Sequence, residues 1–392
     1  MKNDRNQPEI LLVTRPLTPP WDEASKNFAF QLAKNLEKYK FHILVGEYDP
    51  QLPKRITQHV IYRGASWTTI QKTKLVLKLF LLLKRNPSIN IVHFLFAPTP
   101  FNTTVLKNLV RASSVKVIQT VASVPKNARE KINAALFAQE IVVYSDYAKK
   151  QLMSARSKSS RPHKKITVIS PFIDFAEFAL TTQRERLAAR KKWKIEPPEK
   201  VILFPGEYSR LGALDNLLKS FKAIKKRMPE ARLLMACRTK KKEDQKIERK
   251  FKKDISLAGL SSAVNFLGRV DNIRELFIVS DLTIFPVNFM EGKSLEGKFD
   301  FPFVLLESLA CGTPILTSDV AALPEIWRDN KAFQKKYSYS QGNQKELAKK
   351  SLAILRQDRK IVAKELNKFV TARFNRENSL EDYSKIYESL IE

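Results

Sequence analysis

Glycine is scarce in this sequence: there are ten in 392 residues, and no two stand at G-x-G spacing. That excludes the dinucleotide fingerprint, whose glycines let a backbone approach a pyrophosphate. Cysteine is scarcer, with Cys237 and Cys311 alone, so no disulfide framework organises the chain. The four histidines, His42, His59, His93 and His163, have no chelating spacing, and no D-x-D pair occurs. A bound metal therefore has no local support, and none is expected. No G-x-S-x-G elbow is present for a hydrolase. Residues 292–299, GKSLEGKF, come near a phosphate-binding P-loop, but Phe299 stands where the motif needs a hydroxyl for Mg²⁺. The stretch reads better as a polar loop between a strand and a helix. Long apolar runs are also missing. The longest, residues 75–83, is too short to span a bilayer and is broken by Lys78. The N-terminal run Ile10–Val13 has no cleavage site behind it and reads as a first strand, so a cytoplasmic protein is expected.

What is present is a soluble composition, 43% hydrophobic and 28% charged, with a net charge of +30. The length suits two domains of ordinary size. A field of that sign attracts anionic partners such as lipid surfaces, nucleic acid or phosphorylated substrates. Short apolar strands alternate with helical patterns, the signature of parallel α/β units. Strands are expected at 10–15, 41–47, 89–96, 115–121, 140–145 and 165–170, then at 200–206, 231–237, 263–269, 282–287 and 314–319. Between the sets lies a polar, Pro-containing stretch. The spacing thus predicts two doubly wound sheets facing a cleft, with ligands outside the carboxyl ends of the strands.

The segment 297–315, GKFDFPFVLLESLACGTPI, followed by Leu323-Pro324-Glu325, resembles the donor-site signature of the GT-B retaining glycosyltransferases of family 4. Supporting similarities run along the chain: PPWDEASKNFAFQLAKNLEKY (19–39), KITVISPFID (165–174), LFPGEYSRLGALDNLLKSF (203–221) and VNFLGRVDNIRELFIVSDLTIFPV (264–287). The resemblance implies a GT-B fold of two Rossmann-like domains: an acceptor domain over 1–178, a linker over 179–199, a donor domain over 200–370, and a C-terminal helix over 371–392 crossing back to the N-domain. It also implies transfer of a hexose-type sugar from a nucleotide-sugar donor to a glycan or lipid-linked acceptor, with retention and without a metal or other cofactor.

Site residues follow from the same match. Asp300 suits an N-cap and Pro302 a first helical turn, so a helix is expected to open there with its N–H groups towards a diphosphate. Glu307, seven residues on, is expected on the same side, as acceptor of the ribose hydroxyls. Gly206, Arg210, Arg269, Pro302 and Phe303 complete the expected nucleotide site, and Asp22 and Lys26 the first loop near acceptor or donor. Four positions depart from the pattern. Phe299 replaces the first Glu of the signature, which leaves Asp300 as its substitute. Glu207 and Gly212 stand where the family has Arg and Lys, which leaves Arg210 as the cation for the leaving group. Ala122 stands where a histidine is expected, and His93 on a neighbouring strand is the candidate to take that place. These departures keep a second reading open, a catalytically degenerate relative that binds nucleotide or glycan or acts as a scaffold.

Basic clusters at 69–85 and 147–165 make an anionic membrane surface an expected partner, at the inner face of the membrane where many members of the resembled family find lipid-linked acceptors. The basic stretch 238–254 is laced with acids, as a solvated helix would be. Nucleic acid is not expected, because no aromatics interleave with the basic runs and no binding module is recognisable.

Overall fold

The computed structural model describes residues 7–19, 23–63, 68–96, 100–122, 135–154, 165–208, 213–239, 242–288 and 301–392. They form two compact units, the first drawn from Met1–Phe172, Glu296–Phe301 and Phe374–Glu392, the second from Ile173–Leu295 and Pro302–Arg373.

In the first unit the strands are β1 (Glu9–Val13), β2 (Lys40–Val45), β3 (Ile56–Val60), β4 (Ile89–Leu95), β5 (Lys116–Thr120), β6 (Glu140–Val143) and β7 (Ile166–Val168). All pair in parallel, in the order β3-β2-β1-β4-β5-β6-β7. Ile10 to Val13 are fully buried, as expected of a strand covered on both faces. The intervening helices are α1 (Ala24–Asn35), α2 (Thr69–Arg85), α3 (Pro100–Arg111) and α4 (Asp146–Ser154). Helix α1 presses Phe28, Ala29, Leu32 and Ala33 inward. Helix α2 starts on a capping box between Thr68 and Gln71 and buries Leu75, Leu79 and Leu82.

The second unit opens on a helix where the sequence pattern suggested a linker. Helix α5 (Gln183–Lys192) begins on a capping box between Thr182 and Glu185. Arg186 and Arg190 on it reach Asp281, at 2.7 and 3.4 Å. The Asp281 carboxylate also accepts from the Val201 N–H at 2.8 Å. The helix is therefore anchored to the second sheet. Strands β8 (Lys200–Glu207), β9 (Ala231–Arg238), β10 (Val264–Phe266), β11 (Leu282–Phe285), β12 (Ile315–Ser318) and β13 (Ser338–Tyr339) are again all parallel, in the order β10-β9-β8-β11-β12-β13. The helices are α6 (Leu214–Arg227), α7 (Lys242–Leu257), α8 (Ile273–Val279), α9 (Phe303–Ala310), α10 (Lys331–Tyr337), α11 (Gln344–Leu355) and α12 (Arg359–Arg373). The chain order reverses between β8 and β11, and such a switch point leaves a crevice at the carboxyl ends of the strands.

The last helix, α13 (Arg376–Ile391), is part of the first unit. It buries Tyr383, Ile386, Tyr387 and Leu390. Tyr39 is set edge-on to Tyr387 with ring centroids 5.3 Å apart, and Phe28 is tilted against Tyr383 at 5.7 Å. Two strands have no counterpart in the sequence pattern, β3 and β13.

Candidate donor site

Helix α9 carries the carboxylate on which the second unit's site depends. It follows β11, so its N-terminus lies at the carboxyl edge of the sheet, where the switch point opens. Asp300 lies outside the described residues, but the N-cap position belongs to Pro302, with no side-chain cap, and the helix starts at Phe303. This corrects the expected start, and the reason is local: a proline that supplies φ −80° and needs no N–H takes the cap position itself.

The helix is held firmly. Leu305, Leu306 and Leu309 are fully buried, and Phe303 nearly so. The Ser308 hydroxyl pairs with that of Thr283 on β11 at 2.8 Å, and Asn367 donates to the Ala310 carbonyl at 2.6 Å. The C-terminus closes on Gly312, at φ 78°, where Gly312 N–H reaches Leu309 O and Thr313 N–H reaches Ser308 O, both at 2.9 Å. That pair of bonds is a Schellman closure, which requires the left-handed glycine. A Cβ at Gly312 would come within 2.7 Å of the Ala363 Cβ and 2.8 Å of Leu180 Cδ1.

On this fixed rod Glu307 is partly accessible, and among the described residues its carboxylate has no hydrogen-bond or ion-pair partner. Burial raises its pKa to about 8, and the carboxylate of Glu177 pushes in the same direction. Glu177 follows an Asx turn in which Asp174 accepts from the Ala176 and Glu177 N–H groups at 3.0 and 3.1 Å. A carboxyl left desolvated and unpartnered on a rigid element is one whose acceptor capacity is held for something else, and a pair of hydroxyls suits it.

The other expected nucleotide-site residues divide. Gly206 lies on β8, one residue from its end, opposite Cys237 in register. Arg269 follows β10 and is half-exposed, 3.4 Å from Asp271. Pro302 and Phe303 start α9. Gly206 is thus within a strand of the second sheet, Arg269 three residues beyond a strand end, and Pro302 and Phe303 at a helix start. Arg210 and Asp22 lie outside the described residues. One cation at this edge was not legible in the sequence. Arg238, the last residue of β9, pairs in register with Glu207, and its guanidinium is 3.2 Å from that carboxylate. Strand register alone brings them together, and the two positions are 31 residues apart.

Two candidates in the first unit are corrected. His93, a candidate catalytic group, is wholly buried on β4. Its Nδ1 is 2.7 Å from the Tyr387 hydroxyl and its Nε2 is 2.7 Å from the Thr120 hydroxyl, which in turn meets the Tyr383 hydroxyl at 3.0 Å. With both nitrogens engaged and burial lowering its pKa to about 3, it is a neutral core histidine. Lys26, placed by the sequence in a loop, belongs to the first turn of α1 and is buried, so it is not a free loop cation. Among the described residues no three His, Cys, Asp or Glu side chains gather where they could hold a metal.

Residues 185–373 match the family model of the glycosyl transferases group 1. Of curated proteins, an N-acetyl-alpha-D-glucosaminyl L-malate synthase of Bacillus anthracis is 25% identical over 166 residues, 42% of this chain and 39% of the relative. A D-inositol 3-phosphate glycosyltransferase of Mycobacterium sp. (strain KMS) is 29% identical over 198 residues, 49% of this chain and 40% of the relative. The matched stretch thus spans about two-fifths of these relatives' length. Of solved structures, Anabaena HepE, in complex with UDP and glucose, aligns with a TM-score of 0.72 at 14% identity, over 98% of this chain and 100% of that one. A glycosyltransferase from Rickettsia africae aligns at 0.72 and 16% identity, over 99% of both chains. At such identities the likeness is one of fold. The chain has the GT-B fold, and the stretch similar to the group 1 glycosyl transferases falls almost wholly in its second unit.

Proposed function

We propose that the protein is a glycosyltransferase that takes a hexose-type sugar from a nucleotide-sugar donor and passes it to a glycan or lipid-linked acceptor. The observation that carries this reading is Glu307: a desolvated carboxylate with no partner among the described residues, on a fixed helix at the switch-point edge, inside the region matched by the group 1 family. In this reading Glu307 accepts from the two ribose hydroxyls and the start of α9 faces the diphosphate, with Gly206, Pro302 and Phe303 beside it. Binding of UDP and glucose by Anabaena HepE, which shares the fold, supports a nucleotide-sugar as the donor class.

The reaction breaks the bond from the anomeric carbon to the diphosphate oxygen and forms one to an acceptor hydroxyl, with retained configuration. The acceptor proton passes to the departing diphosphate, so the step needs no metal and no other cofactor. Negative charge that develops on the leaving group needs fixed cations. Arg238 at the end of β9, Arg269 and Arg210 are the groups proposed for it. The first unit is proposed to hold the acceptor, with Asp22 near it, and Asp300 to contact the donor sugar.

A second reading has its own observation. Glu207 places a carboxylate at the end of β8, where the resembled pattern has an arginine, and it occupies Arg238. A protein that binds nucleotide or glycan without transfer, or scaffolds a partner enzyme, would tolerate this. Thermal unfolding against UDP, GDP, ADP and their sugars separates the two. The transferase reading expects one nucleotide to raise the midpoint, and its sugar to be consumed when acceptor glycans are supplied. A ligand at about a hundred times its Kd contributes ~2.7 kcal/mol. Glu307→Gln should remove that shift. Stabilisation by a nucleotide without turnover favours the degenerate binder, and no stabilisation by any of them leaves the scaffold.

A further inference from the structure

Helix α2 of the first unit has two apolar faces. One, carrying Leu75, Leu79 and Leu82, is buried against the sheet. The other points outward: Ile70 is 70% exposed, Leu77 58%, Phe80 52% and Leu81 41%. Positions 70, 77 and 81 are separated by seven and four residues, so they fall on one line along the helix, with Phe80 beside it. A surface helix ordinarily presents polar residues there, and an apolar line of this length on one helix marks a contact surface.

The residues flanking the line state what it contacts. Lys74, Lys84 and Arg85 are exposed beside it, and Lys72 and Lys78 lie at its margins. From Thr68 to Asn86 there are five cations and no acid. Seventeen residues of helix give a ridge roughly 25 Å long. A second copy would bring the same five cations against these, within a chain of net charge +30. A nucleic acid would meet the cations but would leave the central leucines against a phosphate backbone. An anionic bilayer satisfies both at once: leucine and phenylalanine enter the boundary between headgroups and acyl chains, and lysine stems extend their ammonium groups to the phosphates. No helix among the described residues is long and apolar enough to cross a membrane, and this one would lie in its plane.

We propose that the outward face of α2 docks the protein on anionic lipid bilayers, with Leu77, Phe80 and Leu81 inserted and Lys74, Lys84 and Arg85 on the headgroups. The surface is in the first unit and does not depend on the donor reading, so its failure would leave nucleotide binding untouched. Flotation of the full chain with vesicles of phosphatidylcholine, with and without phosphatidylglycerol, tests it. The wild type should float with the anionic vesicles at low salt and be released at about 0.5 M salt, where charges are screened within ~4 Å. Leu77→Asp/Leu81→Asp should lose flotation with an unchanged unfolding midpoint, since both side chains are already in water. Lys74→Gln/Lys84→Gln should weaken binding roughly 25-fold, about fivefold for each cation. Absence of flotation at low salt overturns the proposal, and so does undiminished flotation of the leucine variant, which would show adsorption by charge elsewhere. A dimer in sedimentation velocity that Leu81→Asp dissolves would overturn it in favour of a second copy.

Discussion

Glu307, partly accessible, and His93, wholly buried, are both desolvated titratable groups, and their surroundings assign them opposite tasks. Both nitrogens of His93 are used by Tyr387 and Thr120, while the Glu307 carboxylate has no such partners among the described residues. The raised pKa of Glu307 has a consequence for stability. A carboxyl whose folded pKa of about 8 exceeds the ordinary value of 4.5 keeps its proton in the fold after the unfolded chain has lost it. Its favourable contribution is complete below about pH 4.5 and is lost as pH rises through about 8. Glu307→Gln, of the same shape and uncharged, should match the wild type in stability near pH 4.5 and exceed it by several kcal/mol, at most about 5, at pH 9. Denaturant unfolding at the two pH values checks this; equal differences at both would show that Glu307 is ionised at no cost. Sequence reasoning reached Glu307 because the residues that identify it lie within one continuous segment. It misassigned His93 because the strand was visible and the tyrosines that occupy the ring, some 290 positions away, were not.

At the scale of elements, strands buried on both faces were legible from short apolar runs, and most fall where those runs predict them. The two strands missed are those without such a run. Strand β3 lies at a sheet edge, reads ITQHV and leaves Thr57 and Val60 exposed, while β13 is only two residues long. Helix α5 was taken for linker because RERLAARKK offers almost no apolar face. Its stability comes from a capping box and from arginines that find Asp281 about ninety residues away. Helix α9 owes its end to one residue. Gly312→Ala puts a Cβ on a left-handed backbone and against Ala363, so it should cost about 2 kcal/mol or more. Because the same turn sets the pitch and position of Glu307, nucleotide affinity should fall together with the unfolding midpoint. A midpoint lowered with unchanged nucleotide affinity would show that the turn does not position the carboxylate.

At the scale of the molecule, the first unit is assembled from both ends of the described chain. Removing residues 376–391 takes away Tyr383, Ile386, Tyr387 and Leu390, each buried and contributing ~1.5–3 kcal/mol. That sum rivals the whole stability of an ordinary domain, ~5–15 kcal/mol. The shortened chain should therefore lose protection of the first unit to limited proteolysis while residues 173–373 resist. The milder Tyr387→Phe, which deprives His93 Nδ1 of its partner, should cost about 1–3 kcal/mol and leave the fold in place. The shared ends also impose an order of events during synthesis. Domains form as units while the ribosome extends the chain at ~5–20 residues per second. The second sheet has all its strands once β13 has emerged, whereas the first must wait, with His93 and Thr120 unsealed, for the final helix. The half that is translated first is the half that matures last, and the interval between them is when a chaperone would find it.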